Sequence, residues 1–496
     1  MIALWPSFAS LVAADLSDLP VFLKDASSAL FPALKDISIA IYHDPEVGLD
    51  ERHAHDRVVR HFSTFGDWHV VPHAFGMETS FEMTFEHRPA NFSGDLKTIG
   101  FLAEYDALVG VGHACGHNHI VLNGMATALF TSKALQKYDI PGRIKLVGTP
   151  DEENAAGKYV LNQRKAFDSA SVWLMAHPTS KSAIQPMNAR LNFFATFEGD
   201  THQQAVKKAY EAMVTVGSLG KLPGTASTVA TIENVGVYAT NVVQSLISLG
   251  VSGISKAQMD ETISHLLNSS YPGVNYVTFE DADGVAVNIT GPGGHGSEAS
   301  RGPLSLSLEV FRNLSSDTTH EFYLPGNTST KELDITIDMR SRYTTDLPAV
   351  AAKVSDSIKN LTSSVSHDVK YPSLELVPYI PDSFLEIISS KDYGLNDWNI
   401  TDFAPASTDA SWLENPTLDE NHKLIGVDKV VFHANYNICS KGGICAFNHE
   451  PKFAEVAGTD FSYAQTEIVA RAEAHMAVEL LADESKYKDV TAIITK

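Results

Sequence analysis

Cysteine is scarce in this sequence, with three among 496 residues. At most one internal bridge is therefore available. Cys439 and Cys445 are near enough in sequence to form it, which leaves Cys115 odd and open to chemistry. Basic residues are also short: Lys plus Arg is 37 against 60 Asp plus Glu, a formal charge of -23. A surface that acidic repels phosphate backbones and anionic lipid, so neither nucleic acid nor a membrane is an expected partner. No apolar run approaches the roughly 20 residues needed to span a bilayer. The apolar stretch from Ile2 to Ala14 ends Val-Ala-Ala but lacks a basic residue near Met1, so a signal peptide and an N-terminal helix compete for it. Seven Asn-x-Ser/Thr sequons, at Asn91, Asn268, Asn288, Asn313, Asn327, Asn360 and Asn399, lean towards a secreted glycoprotein, with the cytoplasm as the alternative.

What is present is ample apolar content, 44% of the chain. That allows a large core, and the length suits two or three domains. The first third alternates apolar strand patterns with helical ones, as βαβ units do. Ile99 to Ala103 is followed by Glu104, Tyr105 and Asp106. Ile144 to Val147 is followed, after Gly148-Thr149-Pro150, by Asp151, Glu152 and Glu153. Val172 to Ala176 runs directly into His177 and Pro178. In open α/β sheets the site lies beyond the carboxyl ends of the strands, so these three ends are expected to converge. Between the first two lies Gly112-His-Ala-Cys-Gly-His-Asn-His119, leading into a helix from about residue 120 to 137. A thiol beside a helix N-terminus is expected to favour the thiolate that binds metal.

From about Arg190 to Pro378 the texture changes to apolar strands and amphipathic helices without carboxylate pairs at the strand ends. Two stretches, 191–279 and 285–376, show the same order, strand-helix-strand-strand-helix-strand, and each reads as a ferredoxin-like unit. The expected organisation is 15–189 for the N-terminal part of an α/β domain, 190–280 and 281–378 for two tandem inserted units, and 379–490 for the return to the first domain.

Taken singly the chemical residues are weak signals. A Cys-x-His is more often structural, adjacent glutamates are usually solvated, and a histidine before proline can be a core residue. Their joint placement at strand ends and a helix start is what counts, and the mix of thiolate, imidazole and carboxylate suits zinc, with manganese or cobalt as rivals. The cluster His53, His55, His61, His69 and His73 reads instead as a polar helix face and loop.

Several segments together resemble the aminoacylase and amidohydrolase branch of the co-catalytic zinc metallopeptidases, which includes aminoacylase-1-like dipeptidases and auxin-conjugate hydrolases. They are Tyr42-His-Asp-Pro-Glu-Val-Gly48, Phe101-Leu-Ala-Glu-Tyr-Asp-Ala-Leu108, Gly112-His-Ala-Cys-Gly-His-Asn118 and Gly148-Thr-Pro-Asp-Glu-Glu153. Ala176-His-Pro178, Ala406-Ser-Thr-Asp409 and Asn448-His-Glu-Pro-Lys-Phe453 extend the likeness over about residues 35 to 485. The resemblance implies a catalytic α/β domain with an inserted α+β lid, and two divalent metal ions. Cys115 would be the shared ligand, with His117, Glu153, His177 and His449 completing the set. It further implies Glu152 as general base and Asp106 as the acid that orients a ligand. His295, in Gly294-His-Gly-Ser297, matches the lid histidine that stabilises the transition state. Asn327 and Arg340 match lid positions that hold a substrate carboxylate, and His202 and Asn241 occupy analogous places in the first unit. Two departures bear on substrate preference: Asn154-Ala-Ala-Gly157 replaces the usual glycine-rich run, and the lid is doubled.

The implied activity is hydrolysis of amide bonds in dipeptides or N-acyl amino acids carrying a free carboxylate. A carboxypeptidase acting on longer peptides and a non-catalytic ligand-binding relative are the alternatives. Relatives with one lid dimerise to share the lid histidine, so a doubled lid favours a monomer over a homodimer.

Overall fold

The computed structural model describes residues 15–154, 156–219, 228–232, 242–267, 271–295, 302–326, 328–440 and 445–495. Helices α1 (Leu19–Tyr42) and α2 (Arg52–Phe62) precede strands β1 (Trp68–Pro72), β2 (Phe81–His87) and β3 (Thr98–Ala103). Then come α3 (His117–Lys137), β4 (Gly142–Gly148), α4 (Gly157–Gln163), β5 (Val172–Thr179) and β6 (Ala183–Ile184). The inserted region opens with β7 (Ala189–Glu198), α5 (His202–Ser218), β8 (Thr228–Ile232), β9 (Val242–Val243), β10 (Leu246–Ser252) and α6 (Lys256–Leu267). It continues through β11 (Asn275–Asp281), β12 (Gly284–Thr290), β13 (Gly294–His295), α7 (Pro303–Leu314), β14 (Glu321–Tyr323), β15 (Glu332–Ser341), α8 (Leu347–Ile358) and β16 (Ser364–Tyr371). The chain returns through α9 (Ile380–Ser389), α10 (Ser411–Glu414), β17 (Thr417–Leu418), β18 (Leu424–Gly426), β19 (Val430–Asn437), α11 (Pro451–Ala457) and α12 (Asp460–Ala482).

The larger domain is built on a seven-stranded sheet in the order β1-β2-β4-β3-β5-β19-β6. Its centre is parallel: β3 pairs with β4 and β5, and β5 pairs with β19. Every residue of β3 is buried, as expected of a parallel strand covered on both faces. Helices α1, α3 and α12 pack together over one face and enclose the main apolar core. Trp173, Met175, Val431 and Leu413 belong to a smaller core on the other face.

The inserted region holds two four-stranded sheets, ordered β16-β7-β15-β8 and β11-β12-β10-β14. Each is a βαββαβ unit whose strands run fourth, first, third, second across the sheet, which is the ferredoxin-like arrangement. The two units are nested, not tandem. The second unit, β10 through β14, sits between the second and third strands of the first, which closes only with β15, α8 and β16. The expected boundary at 280/281 falls inside the β11–β12 hairpin, where Asp281 faces Gly284. Every helix and strand of the tandem reading has a counterpart here; what differs is the pairing. Local periodicity sets whether a segment is helix or strand, but the partner of a strand is a long-range choice. The two units share one apolar core, with Tyr210 of α5 against Phe311 of α7 at 5.2 Å between ring centroids.

Candidate metal centre

Two strand ends, a helix start and a loop distant in sequence meet at one buried cluster. Cys115 and His117 enter from the start of α3, Glu152 and Glu153 follow β4, His177 lies within β5, and His449 precedes α11. One ligand atom from each member of three groups lies within 4.8 Å of the others: Cys115, His117 and His177; Cys115, Glu153 and His449; His117, Glu152 and Glu153. The first two groups share Cys115, so its sulfur stands between two candidate ion positions. Thiolate, imidazole and carboxylate are the donors that borderline-soft divalent ions take, so the residues present fit such ions.

Local backbone geometry explains how these residues reach one point. Gly116, between Cys115 and His117, has φ 85°, and a Cβ there would lie 2.6 Å from the Pro178 side chain. Only glycine meets both conditions. His449 itself has φ 71°, unusual for a side-chain-bearing residue, and is pinned from both sides. Its N–H donates to the Ala114 carbonyl at 2.8 Å, and the neighbouring Asn448 amide donates to the Cys115 and Pro178 carbonyls at 3.1 and 3.0 Å.

Carboxylates around the cluster are tied down in turn. Asp106 accepts from His117 Nδ1 at 2.8 Å through one oxygen and from the Glu153 N–H at 3.0 Å through the other. A carboxylate on the far nitrogen of a ligating imidazole fixes the tautomer and ring orientation. Lys158, fully buried, bridges Glu104 at 2.5 Å and Asp409 at 2.6 Å. The Asp409 N–H in turn points at Glu152 Oε1, 3.4 Å away. Neither Lys158 nor the Glu104–Asp409 pair figures among the site residues read from the sequence; Lys158 carries no local signal there, because a lysine on an amphipathic helix normally faces solvent.

Electrostatics in the cluster follow from burial and crowding. Burial, reinforced by Glu153, Asp409 and Glu104, pushes the Glu152 carboxyl well above its ordinary value. For His117 burial opposes the charged form, yet Asp106 and Cys115 outweigh it and raise its pKa. Burial lowers His177 to about 4. Cys115 departs from the sequence expectation: burial and the neighbouring Glu153 push its thiol up, against the pull of His117. A cation beside it is what would favour the thiolate.

Of the lid residues, His295 reaches the cluster. Strand β13 pairs with β9, and the His295 ring lies 4.4 Å from that of His449 between centroids, facing the same cavity. Arg340 is buried at the rim, donating to Asp338 at 3.1 and 3.2 Å and to Ser407, a cavity residue, at 3.1 Å. Arg190, opposite Arg340 in the β7–β15 register, donates to the same Asp338 at 2.8 Å; its place at the start of β7 gave no warning of this. His202 is not brought to the site. Its ring nitrogens meet the Thr330 carbonyl at 2.6 Å and the Leu324 N–H at 3.0 Å, so it clamps the crossover from the second unit back to the first. Asn327, Asn241, Gly296 and Ser297 lie outside the described residues. The five N-terminal histidines stay apart from the cluster, with His55 stacked on His73.

The cavity beside the cluster has a volume of about 340 Å³. Glu152, Glu153, His177, His295 and His449 form one part of its wall, and the sheet strand β19 and the 399–408 loop form much of the rest.

No family profile matches the chain. Xaa-Arg dipeptidase of Mus musculus is 38% identical over 152 residues, covering 30% of this chain and 35% of that protein. Xaa-Arg dipeptidase of Homo sapiens is 39% identical over 157 residues, covering 30% and 36%. One component polypeptide of the p-aminobenzoyl-glutamate hydrolase of Escherichia coli is 26% identical over 174 residues, covering 32% and 34%. The matches thus span about a third of the length of these relatives. Among solved structures, a candidate aminohydrolase from methicillin resistant Staphylococcus aureus aligns over 92% of this chain and 99% of its own, with a TM-score of 0.51 and 13% identity. That likeness shows the fold. The sequence relatives carry the names of hydrolases, in agreement with the resemblance read from the motifs.

Proposed function

We propose that the chain is a metal-dependent hydrolase of amide bonds in dipeptides or N-acyl amino acids. The observation that carries this reading is the pair of donor groups sharing Cys115, with Glu152 beside them on the cavity wall. Two divalent cations held by Cys115, His117, Glu153, His177 and His449 would supply Lewis acidity, which lowers the pKa of water and polarises the carbonyl. Zinc suits the donor set best, with manganese or cobalt as rivals. Glu152 serves as general base: it takes the proton of the attacking water and returns it to the leaving nitrogen. Asp106 keeps His117 in a fixed orientation, and Lys158 holds Glu104 and Asp409 behind Glu152.

His295, whose pKa is lowered by burial and by the nearby His449 and Arg340, is a neutral donor for the developing oxyanion. Arg340, which donates to the cavity residue Ser407, is the cation placed to meet the free carboxylate of a substrate. His295 and His449 belong to the same chain, which supports a site complete in a monomer. The Cys439–Cys445 disulfide and the exposed sequons Asn91, Asn313 and Asn360 support a secreted glycoprotein. Among the described residues no helix is long and apolar enough to cross a membrane.

The test combines metal analysis with turnover. Wild type is expected to carry two equivalents of divalent metal and to cleave dipeptides or N-acyl amino acids. Glu152→Gln is expected to keep the metal and lose roughly 10²–10⁴-fold in turnover, the span of a general base. Activity above a tenth of wild type at unchanged metal content would remove Glu152 from that role. Release of residues from longer peptides with equal efficiency would favour a carboxypeptidase.

A further inference from the structure

From Phe432 strand β19 reads Phe-His-Ala-Asn-Tyr-Asn437, alternating apolar and polar side chains. It lies between β5 and β6, inside the sheet, where both faces are covered. Phe432, Ala434 and Tyr436 belong to the main core under the helices. His433 and Asn435 point the other way and line the cavity, with Asn435 directly opposite His177 in the β5–β19 register. Both are buried, each 3% exposed. Neither ring nitrogen of His433 and not the Nδ2 of Asn435 has a hydrogen-bond partner on another described residue. They are not members of the metal-binding groups. A parallel inner strand is ordinarily apolar on both faces, and buried polar atoms are ordinarily paired. Two adjacent exceptions on one strand, both facing the same cavity, point to a ligand as the missing partner.

The chemistry of that ligand follows from the donors. A neutral imidazole offers one donor and one acceptor, and a carboxamide offers donors on one side and an acceptor on the other. Apart from Glu152 and Glu153 in the metal cluster, the described residues of the cavity wall carry no carboxylate, so a basic side chain would find no counter-charge of its own among them. Gln185, Ser182 and Thr401 add further neutral polar groups to the wall.

We propose that His433 and Asn435 form a specificity pocket for a neutral, hydrogen-bonding substrate group, a side-chain amide being the best match. The pocket rests on the hydrolase reading above and narrows its substrate class. It selects against the arginine that names the mouse and human relatives and against apolar groups of equal length. The latter follows because filling the pocket with an apolar group would leave both side chains unpaired.

The test uses the metal-loaded enzyme and five dipeptides: Gln-Ala, Met-Ala, Ala-Gln, Ala-Met and Ala-Arg. Methionine matches glutamine in length but lacks its amide. The expected result is a glutamine-over-methionine ratio of kcat/KM of at least about ten at one of the two positions, carried mainly by KM, with Ala-Arg below Ala-Gln. Asn435→Leu and His433→Phe are each expected to bring that ratio to within about twofold of one at full metal content. Asn435→Ser, a smaller change, keeps the point testable if the leucine variant does not fold. Methionine cleaved as well as glutamine at both positions by wild type overturns the proposal, as does Ala-Arg cleaved as well as Ala-Gln where the ratio lies at the second position. A His433→Phe protein that loses metal while keeping the ratio also overturns it, since His433 would then only buttress His177. Wild type that binds two metal equivalents yet cleaves none of the five and no N-acyl amino acid overturns the hydrolase reading itself, an outcome distinct from a wrong preference among cleaved peptides.

Discussion

The two lid units share one plan, yet each uses a histidine in a different way. In the first unit Thr201 caps α5 by accepting from the Gln204 N–H, and His202 begins the helix with both ring nitrogens bound to backbone. In the second unit the chain leaves β12, passes Gly291-Pro-Gly-Gly294, and delivers His295 through the short pairing of β13 with β9. A ring whose two nitrogens are already engaged cannot serve a substrate. A ring carried on a glycine-rich approach, facing a cavity, can. The same fold thus turns one histidine into a clamp and sets the other against the cavity.

The sharpest way to break this comparison is to remove each ring. His295→Ala is expected to lower turnover by about 10²-fold or more, as loss of an oxyanion donor does, with metal content unchanged. A loss below threefold, read from steady-state kinetics, would leave the two histidines equivalent. Mixing comes next. Glu152→Gln protein combined with His295→Ala protein is expected to show no activity beyond the sum of the two, because each site draws its histidine from its own chain. Rescue on mixing would mean that lids are exchanged between protomers.

His202→Ala is expected to leave kcat within about twofold and to act on stability instead. It strips the partner from the buried Leu324 N–H, at a cost of about 1–3 kcal/mol for a buried polar group left unpaired. Thermal unfolding of the two proteins side by side measures it, and a kinetic defect with no shift in midpoint would return His202 to the site. The smallest effect is expected from Thr201→Ala, which removes the helix cap alone, typically ~1 kcal/mol. A Thr201 variant as destabilised as the His202 variant would mean that the clamp adds nothing to the cap.

The sequence carried the larger domain further than the lid for a physical reason. Cys115, His117, Glu152, Glu153 and His177 stand within a few residues of strand or helix ends, and the carboxyl ends of parallel strands meet by construction. His449 was legible through the resemblance alone. Nothing local marks it, since it is held by contacts to Ala114 and, through Asn448, to Cys115, more than 300 positions away. Lys158 and Arg190 stayed hidden because a charged residue on a helix or strand reads as solvated until its buried carboxylate partner is known. His433 and Asn435 did leave a trace, the alternation along β19, but alternation equally describes a strand with one wet face.

By itself, then, the chain determined its helices and strands, the α/β class, the inserted α+β lid and the metal-type donors at the strand ends. All of these follow from short-range periodicity and from residue chemistry. Only the tertiary structure decided that the lid units are nested, that His202 clamps a backbone crossover, and which buried charges face each other. Those outcomes turn on pairing between segments far apart in sequence, where many registers satisfy the same local pattern and the shared core selects one.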